Sequence, residues 1–397
     1  MEPQITETRR TYATVAVIRA RPGKVVWMDG TPAHASVNTG LVNACQGAWS
    51  RVPEDEASVA DFVAGARYHR IAPLAHVTFR EHQPEIAQLL QADRDRALMN
   101  HLRMSALLGR ISKLLDGIDW LVFKGPVLSE FAHPVPGLRF YKDLDVLVSP
   151  ADFRRATNRL LEAGWRVLVS DDSLRSGEFP GEIPLMDAHG IVMDLHWSMI
   201  VMRSVRARFP VSAEPLLDRR VPATLGPVKL SVLDPVDALV HVCHHAALVG
   251  ATKLGHILDA DQLARSVTDW EAVTQRAHDW GAQPQVAVVL GRARHLFATP
   301  MPDDLGRSLA LGPGLSLLMM MIDRVWPVPG LRKDESWVRL ATRAVRSDLV
   351  RTAGVVVRNA GQGLVTRLRR ADSDEPRFTA APGVIEEYLA RVEASAS

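Results

Sequence analysis

Two aspartates separated by one residue, Asp143 and Asp145, lie in the run Leu138-Arg139-Phe140-Tyr141-Lys142-Asp143-Leu144-Asp145-Val146-Leu147-Val148. In an extended strand alternate side chains share a face, so both carboxylates project together while Leu144, Val146 and Val148 point the other way. Two such carboxylates repel one another and are costly to leave uncompensated against a core. A divalent cation resolves that cost, and hard Mg²⁺ favours oxygen ligands completed by phosphate. A third acid is at hand in Ile191-Val192-Met193-Asp194-Leu195-His196-Trp197, where Asp194 interrupts an apolar strand. Metal coordination or general-base work on an acceptor hydroxyl would account for it there. Three acids of this kind suit a site that clamps the attacking and leaving oxygens of an in-line displacement. Upstream, Lys124-Gly125 closes the short apolar strand Trp120 to Phe123 and opens a helical stretch from Pro126 to Phe131. A glycine at such a turn lets backbone approach phosphate, and Lys124 and Arg139 are placed to neutralise a triphosphate.

The elements that must position these residues are legible from caps and periodicity. Residues from about 57 to 116 read as helical, with Leu98, Leu102, Leu108, Ile111 and Leu115 as an apolar stripe broken only by Ser105, and Gly117 as the stop. Strands are expected at Trp120–Phe123, Leu144–Val148, Trp165–Val169 and Ile191–Trp197, with Asp171–Glu182 as a loop or irregular hairpin. Ser149-Pro150-Ala151-Asp152 and Asp234-Pro235-Val236-Asp237 both carry a capping residue, a proline at the first helical position and an acid in the first turn. From residue 234 onward the pattern is helical, and Met319-Met320-Met321 reads as core packing. The first fifty residues alternate short apolar runs with turns, and Val15 to Val26 around Pro22-Gly23 suggests a hairpin. Four regions follow: a β-hairpin appendage at 1–56, a helical region at 57–118, a mixed catalytic core at 119–233 and a helical domain at 234–397.

Composition bounds the remaining choices. The 397 residues carry a net charge of +2, with 47% hydrophobic and 23% charged residues, so no global field draws the chain to nucleic acid or membrane. The arginines between 339 and 370 read as a solvated helix face, with a local anion-binding surface as the alternative. No basic stripe with interleaved aromatics accompanies the core, which argues against nucleic-acid polymerisation. Cys45 and Cys243 are too few and too far apart for a disulfide framework. The amino terminus lacks a signal-peptide pattern, and the longest apolar run, Leu315 to Ile322, falls short of the ~20 residues that span a bilayer. A cytoplasmic protein is therefore expected. His241 and His245 are one helical turn apart, a spacing that two zinc ligands use, but no glutamate follows the first and no third ligand is evident. His196 either orients Asp194 or packs structurally.

The order of strand, glycine turn, helix, Asp-x-Asp strand and later strand aspartate resembles the DNA polymerase β-like nucleotidyltransferase superfamily. More narrowly it is similar to the bacterial uncharacterised nucleotidyltransferase family, on Phe123-Lys124-Gly125, Arg139 through Val148 and Asp194-Leu195-His196-Trp197. Tyr68 through Leu74 and the helix with Leu254 through Leu263 resemble flanking parts of that family, so the likeness spans roughly residues 57–300. The resemblance implies an α+β fold: a polymerase β-like core, a short mixed sheet with helices, flanked by helical regions. It implies Mg²⁺ or Mn²⁺ held by Asp143, Asp145 and Asp194, an NTP as co-substrate, and a small-molecule or peptide acceptor. Lys253 becomes a phosphate-contacting residue in a helical region that closes over the nucleotide, with an exposed lysine as the alternative. Two departures stand out. Pro126 follows Gly125 where the superfamily has Gly-Ser or Gly-Gly, which removes one N–H from the phosphate cradle. Lys142 occupies a position where small residues are common, and it either contacts phosphate or faces water. Kinase-like transfer from the same site and a non-catalytic nucleotide-binding or partner-binding role are the competing readings.

Overall fold

A computed structural model of the chain describes residues 32–309, 312–330, 342 and 380–395. The expected hairpin at Val15 to Val26 and the arginines between 339 and 370 lie outside the described residues.

The apolar strands assemble into one seven-stranded sheet. In chain order these are β1 (Trp120–Phe123), β2 (Leu144–Val148), β3 (Arg166–Val167), β4 (Glu182–Met186), β5 (Val192–His196), β6 (Val221–Leu225) and β7 (Val228–Val232). Their spatial order is β3-β4-β5-β2-β1-β7-β6. β2 lies at the middle, antiparallel to β1 and parallel to β5, and β1 runs parallel to β7. All five residues of β2 are buried, as a central strand covered on both sides requires. The α+β class expected from the sequence is what the chain adopts.

The two faces of the sheet are covered by different helices. On one face Val122, Leu144, Val146, Met193 and Leu195 join a core. It is closed by α4 (Pro84–Leu114), α6 (Pro150–Glu162) and the C-terminal α16 (Pro382–Ala394). On the other face Leu121, Phe123 and Leu147 pack with α10 (Pro235–Leu248), α12 (Trp270–Asp279) and α13 (Gln283–Phe297). A third core joins α1 (Pro32–Cys45), α2 (Glu56–Tyr68) and α3 (Ala72–Phe79) to α11 (Leu254–Ser266) and the end of α13.

The capping signals hold. The Ser149 hydroxyl accepts from the Asp152 N–H, and Asp234 accepts from the N–H groups of Val236 and Asp237. Other expectations need correction. On α4 the buried face runs through Ala97, His101, Met104, Leu107, Leu108 and Ile111, whereas Leu98 and Leu102 are 37% and 55% exposed. The actual stripe admits a histidine, because His101 Nδ1 is 3.0 Å from the Tyr141 hydroxyl and Nε2 is 3.2 Å from Glu130. Of the methionine run only Met319 is buried. The segment assigned to a loop contains a helical turn, α7 (Asp171–Arg175), and the first residue of β4. Within 1–56, where short apolar runs and turns were expected, Pro32–Cys45 is helical. Within 234–397, α16 leaves the other helices and packs on α6 across the sheet, and Arg154 of α6 pairs with both Glu386 and Glu393.

Candidate active site

The strand register places the acids. β2 and β5 run parallel with Asp145 directly opposite Asp194 and Leu147 opposite His196, so these positions share one face. On the other side of β2, Phe123 is the partner of Asp145, which sets Lys124 beside the acid. β4 completes the row, with Glu182 opposite His196. The row lies on the face that carries α10, where Phe123 stacks edge-on to both His196 and His241.

Asp145 is the best-buried acid of the row, 5% exposed. One of its oxygens, Oδ1, receives the Lys124 ammonium at 2.9 Å and faces His196 Nε2 at 3.3 Å. Burial alone would raise its pKa, but the Lys124 charge and then the His196 bond outweigh burial and hold the carboxyl well below its ordinary range. Asp194 goes the other way. Burial, followed by the nearby Glu182 charge, pushes it up to about 7. Asp143, on the bend entering β2, is raised by burial and then by Asp145. His196 bridges two acids, with Nδ1 at 3.1 Å from Glu182 Oε2. Burial opposes its charge, but Glu182 and Asp145 more than offset that and raise its pKa.

Ligand atoms of Asp145, Asp194 and His196 all lie within 4.8 Å of one another. This is a donor set a divalent cation fits. Crowded carboxylates, one of them raised to about 7 by burial and like charge, signal an uncompensated negative field that a cation would relieve. Asp143 contributes charge to the same field, as its coupling to Asp145 and Asp194 shows. The imidazole makes this trio a mixed nitrogen and oxygen set, and Asp143, also expected as a ligand, is not among its members.

The turn into α5 (Gly125–Phe131) is unusual. Lys124 has φ 58° and ψ −137°, a region rarely adopted by residues with a Cβ. Gly125 also has positive φ, and a Cβ there would sit 3.2 Å from the Asp143 carbonyl oxygen and 3.5 Å from the Tyr141 ring. The strained lysine aims its ammonium at Asp145, and the glycine lets the strand entering the site pass close behind. Pro126 occupies the start of α5, where its missing N–H costs no helical bond.

The other expected site residues are placed less centrally. Arg139, expected at the phosphate, forms two 2.8 Å bonds through its guanidinium with Asp259 of α11, tying the core to the helical region. Lys142 is exposed on the approach to β2. Lys253 precedes α11 and lies over the Tyr68 ring, 4.3 Å from its centroid, with Nζ 3.4 Å from the Tyr68 carbonyl oxygen. His241 and His245 are not joined by a third ligand among the described residues, and their rings stand 6.2 Å apart. Glu182 was missed by sequence reasoning because its strand was taken for the end of a loop; the only signal was the alternation through Ile183 and Leu185. His196 was noticed, but its ring nitrogens face Asp145 on one side and Glu182 with the Ser198 carbonyl oxygen on the other.

Both cysteines are buried thiols, and burial raises the pKa of each. No helix among the described residues is long and apolar enough to cross a membrane. A family model described as an uncharacterised nucleotidyltransferase matches residues 55–298. No curated protein matches the chain.

Proposed function

We propose, on the premise that this chain belongs to the uncharacterised nucleotidyltransferase family, that it transfers a nucleoside monophosphate from an NTP to a hydroxyl or phosphate of a small-molecule or peptide acceptor, releasing pyrophosphate. The observation that carries this reading is the cross-strand pairing of Asp145 with Asp194, with His196 within ligand distance of both and Lys124 on Asp145.

Asp143, Asp145 and Asp194, with His196 alongside, would hold Mg²⁺ or Mn²⁺. A cation bound there supplies Lewis-acid polarisation of the phosphoryl oxygens and screens the charge that develops on them. Lys124 adds a fixed positive charge at the same edge, held by the strained turn in one orientation. Asp194 is either the third ligand or the base that takes a proton from the acceptor hydroxyl; without a cation, burial and then the Glu182 charge push it up to about 7. His196 and Glu182 position Asp145: one imidazole nitrogen faces each carboxylate, which fixes the ring and through it the acid. The cytoplasm suits a protein with two buried thiols and an NTP co-substrate.

The test is a panel of NTPs with Mg²⁺ or Mn²⁺ against candidate acceptors, with products read by mass spectrometry. Pyrophosphate with a nucleotidylated acceptor is expected. Release of a nucleoside diphosphate with a phosphorylated acceptor would instead make the site a kinase. Full activity in a protein carrying both Asp143→Asn and Asp145→Asn would refute the assignment.

A further inference from the structure

The surroundings of His196 bear on which cation the acid row takes. The ring is 2% exposed and lies edge-on to Phe123, with 5.0 Å between ring centres. On one side Nδ1 stands 3.1 Å from Glu182 Oε2 and 3.4 Å from the Ser198 carbonyl oxygen. On the other, Nε2 stands 3.3 Å from Asp145 Oδ1. A carbonyl and an ionised carboxylate only accept hydrogen bonds, so both ring nitrogens face acceptors. A neutral imidazole has a single N–H and serves one side. With that proton on Nδ1, between two acceptors, Nε2 turns its lone pair on a carboxylate oxygen. A positive centre shared by Nε2 and Oδ1 removes the conflict, and either a proton or a metal ion can be that centre.

Three features favour a metal ion in that role. Asp194 offers a further ligand atom, and one atom from each of Asp145, Asp194 and His196 lies within 4.8 Å of the other two. A proton joins two atoms and leaves Asp194 outside. The spacing is also that of two ligands on one ion. At ~2.1 Å from a cation, neighbouring ligands stand about 3.0 Å apart at a right angle and about 3.4 Å apart at the tetrahedral angle. The 3.3 Å between Nε2 and Oδ1 falls between these. Finally, Glu182 faces Nδ1 as outer carboxylates face the second nitrogen of metal-bound histidines, which fixes the tautomer and makes Nε2 the better donor.

The donor types then discriminate between cations. Mg²⁺ prefers oxygen, is held by charge and gives up its water reluctantly. Here the Lys124 ammonium already lies 2.9 Å from the same Oδ1, which reduces what a purely ionic bond gains. A first-row transition cation gains from the imidazole nitrogen as well, and Mn²⁺ is the one that carboxylates also suit.

We infer that His196 Nε2 is a direct ligand of the cation at this site, and that the site thereby selects Mn²⁺ over Mg²⁺. The inference rests on the proposed metal-dependent transfer and narrows its choice of cation. It gives Glu182 the task of presenting the ring.

The experiment uses the full chain with Mn²⁺ alone, without nucleotide. Pulsed electron paramagnetic resonance of the bound ion should show modulation by an imidazole nitrogen, and His196→Gln should abolish it. Among the described residues His196 is the one histidine in a metal-sized cluster, so the wild-type spectrum decides the matter if the variant fails to fold. Displacement of Mn²⁺ by Mg²⁺ then measures selectivity. Wild type should prefer Mn²⁺ by at least about a hundredfold, and His196→Gln should narrow that ratio at least about tenfold by weakening Mn²⁺ and sparing Mg²⁺. Bound Mn²⁺ without nitrogen coupling, or an unchanged ratio in His196→Gln, overturns the inference and leaves metal-dependent transfer standing. Absence of Mn²⁺ binding overturns both. Nitrogen-coupled Mn²⁺ in a protein that turns over no NTP keeps His196 as a ligand and removes the catalytic reading.

Discussion

Asp145 and Asp194 are direct register partners on parallel strands, yet their carboxyl groups are shifted in opposite directions. The difference lies in their neighbours. Lys124 and His196 both reach Asp145, whereas Asp194 has Glu182 as its strongest charged neighbour. One acid is held ionised and the other near neutrality, a division of labour that suits a ligand beside a base.

Asp145→Asn and Asp194→Asn should each lower kcat/KM for NTP turnover by at least about 10²-fold, the scale expected for losing a group that stabilises transition-state charge. Asp194→Asn should also flatten the alkaline rise of the pH–rate profile. Turnover at the wild-type rate by either variant would remove that residue from the site.

Glu182 acts on the site in two ways, through the His196 ring that faces Asp145 and through its charge on Asp194. Glu182→Gln is expected to weaken Mn²⁺ affinity by about 10- to 100-fold, as outer partners of metal ligands do. Titration followed by electron paramagnetic resonance reads this directly. An unchanged affinity would reduce Glu182 to packing.

The raised pKa of Asp194 has a sign that can be checked. Its folded value, about 7, exceeds its ordinary 3.8, so its contribution favours folding below about pH 4 and is lost as pH rises toward 7. Asp145 is shifted down, and its contribution is lost only as pH falls below that ordinary value. In EDTA, Asp194→Asn should therefore gain Tm over wild type progressively between about pH 4 and 7. Mg²⁺ should raise wild-type Tm in the upper part of that range and leave the variant less affected. Parallel Tm profiles for the two proteins would contradict this assignment.

Arg139 and Asp259 form a pair in which each side chain is under 15% exposed, 14% and 7%. Removing one partner strands the other charge in a poorly solvated place. Arg139→Ala should cost about 3–5 kcal/mol of stability, and Arg139→Ala with Asp259→Ala less than the sum of the two single losses. Chemical denaturation of the four proteins gives the comparison.

The acids of the candidate site were more legible than some of the strands that frame them. Asp143, Asp145 and Asp194 stand out because a charge in an apolar strand violates alternation, and β1, β2 and β5 carry that signal. β4 was obscured by Pro184, which argues against an interior strand; it is tolerated because β3 on its outer side is only two residues long. The β6–β7 hairpin does show alternation, through Val221 and Leu225 and then Val228, Leu230 and Val232, about Gly226 at φ 57°. It went unread beside the stronger helical pattern that follows. The Arg139–Asp259 pair joins residues 120 apart, and nothing local announces it.

The last described helix reaches back to the strand that carries Asp194 and His196. Trp197, the residue after His196, donates its indole N–H to the Tyr388 hydroxyl at 2.8 Å, and Phe179 stacks against both rings. Tyr388 is 1% exposed, so α16 is fitted into the sheet's core and not laid on its surface. A fragment cut to the family-matched boundaries would bare the Phe153, Phe179 and Trp197 surfaces beneath it and loosen the end of β5 that carries the imidazole. The smallest piece able to hold its acids in register is thus longer than the stretch that reveals its kinship.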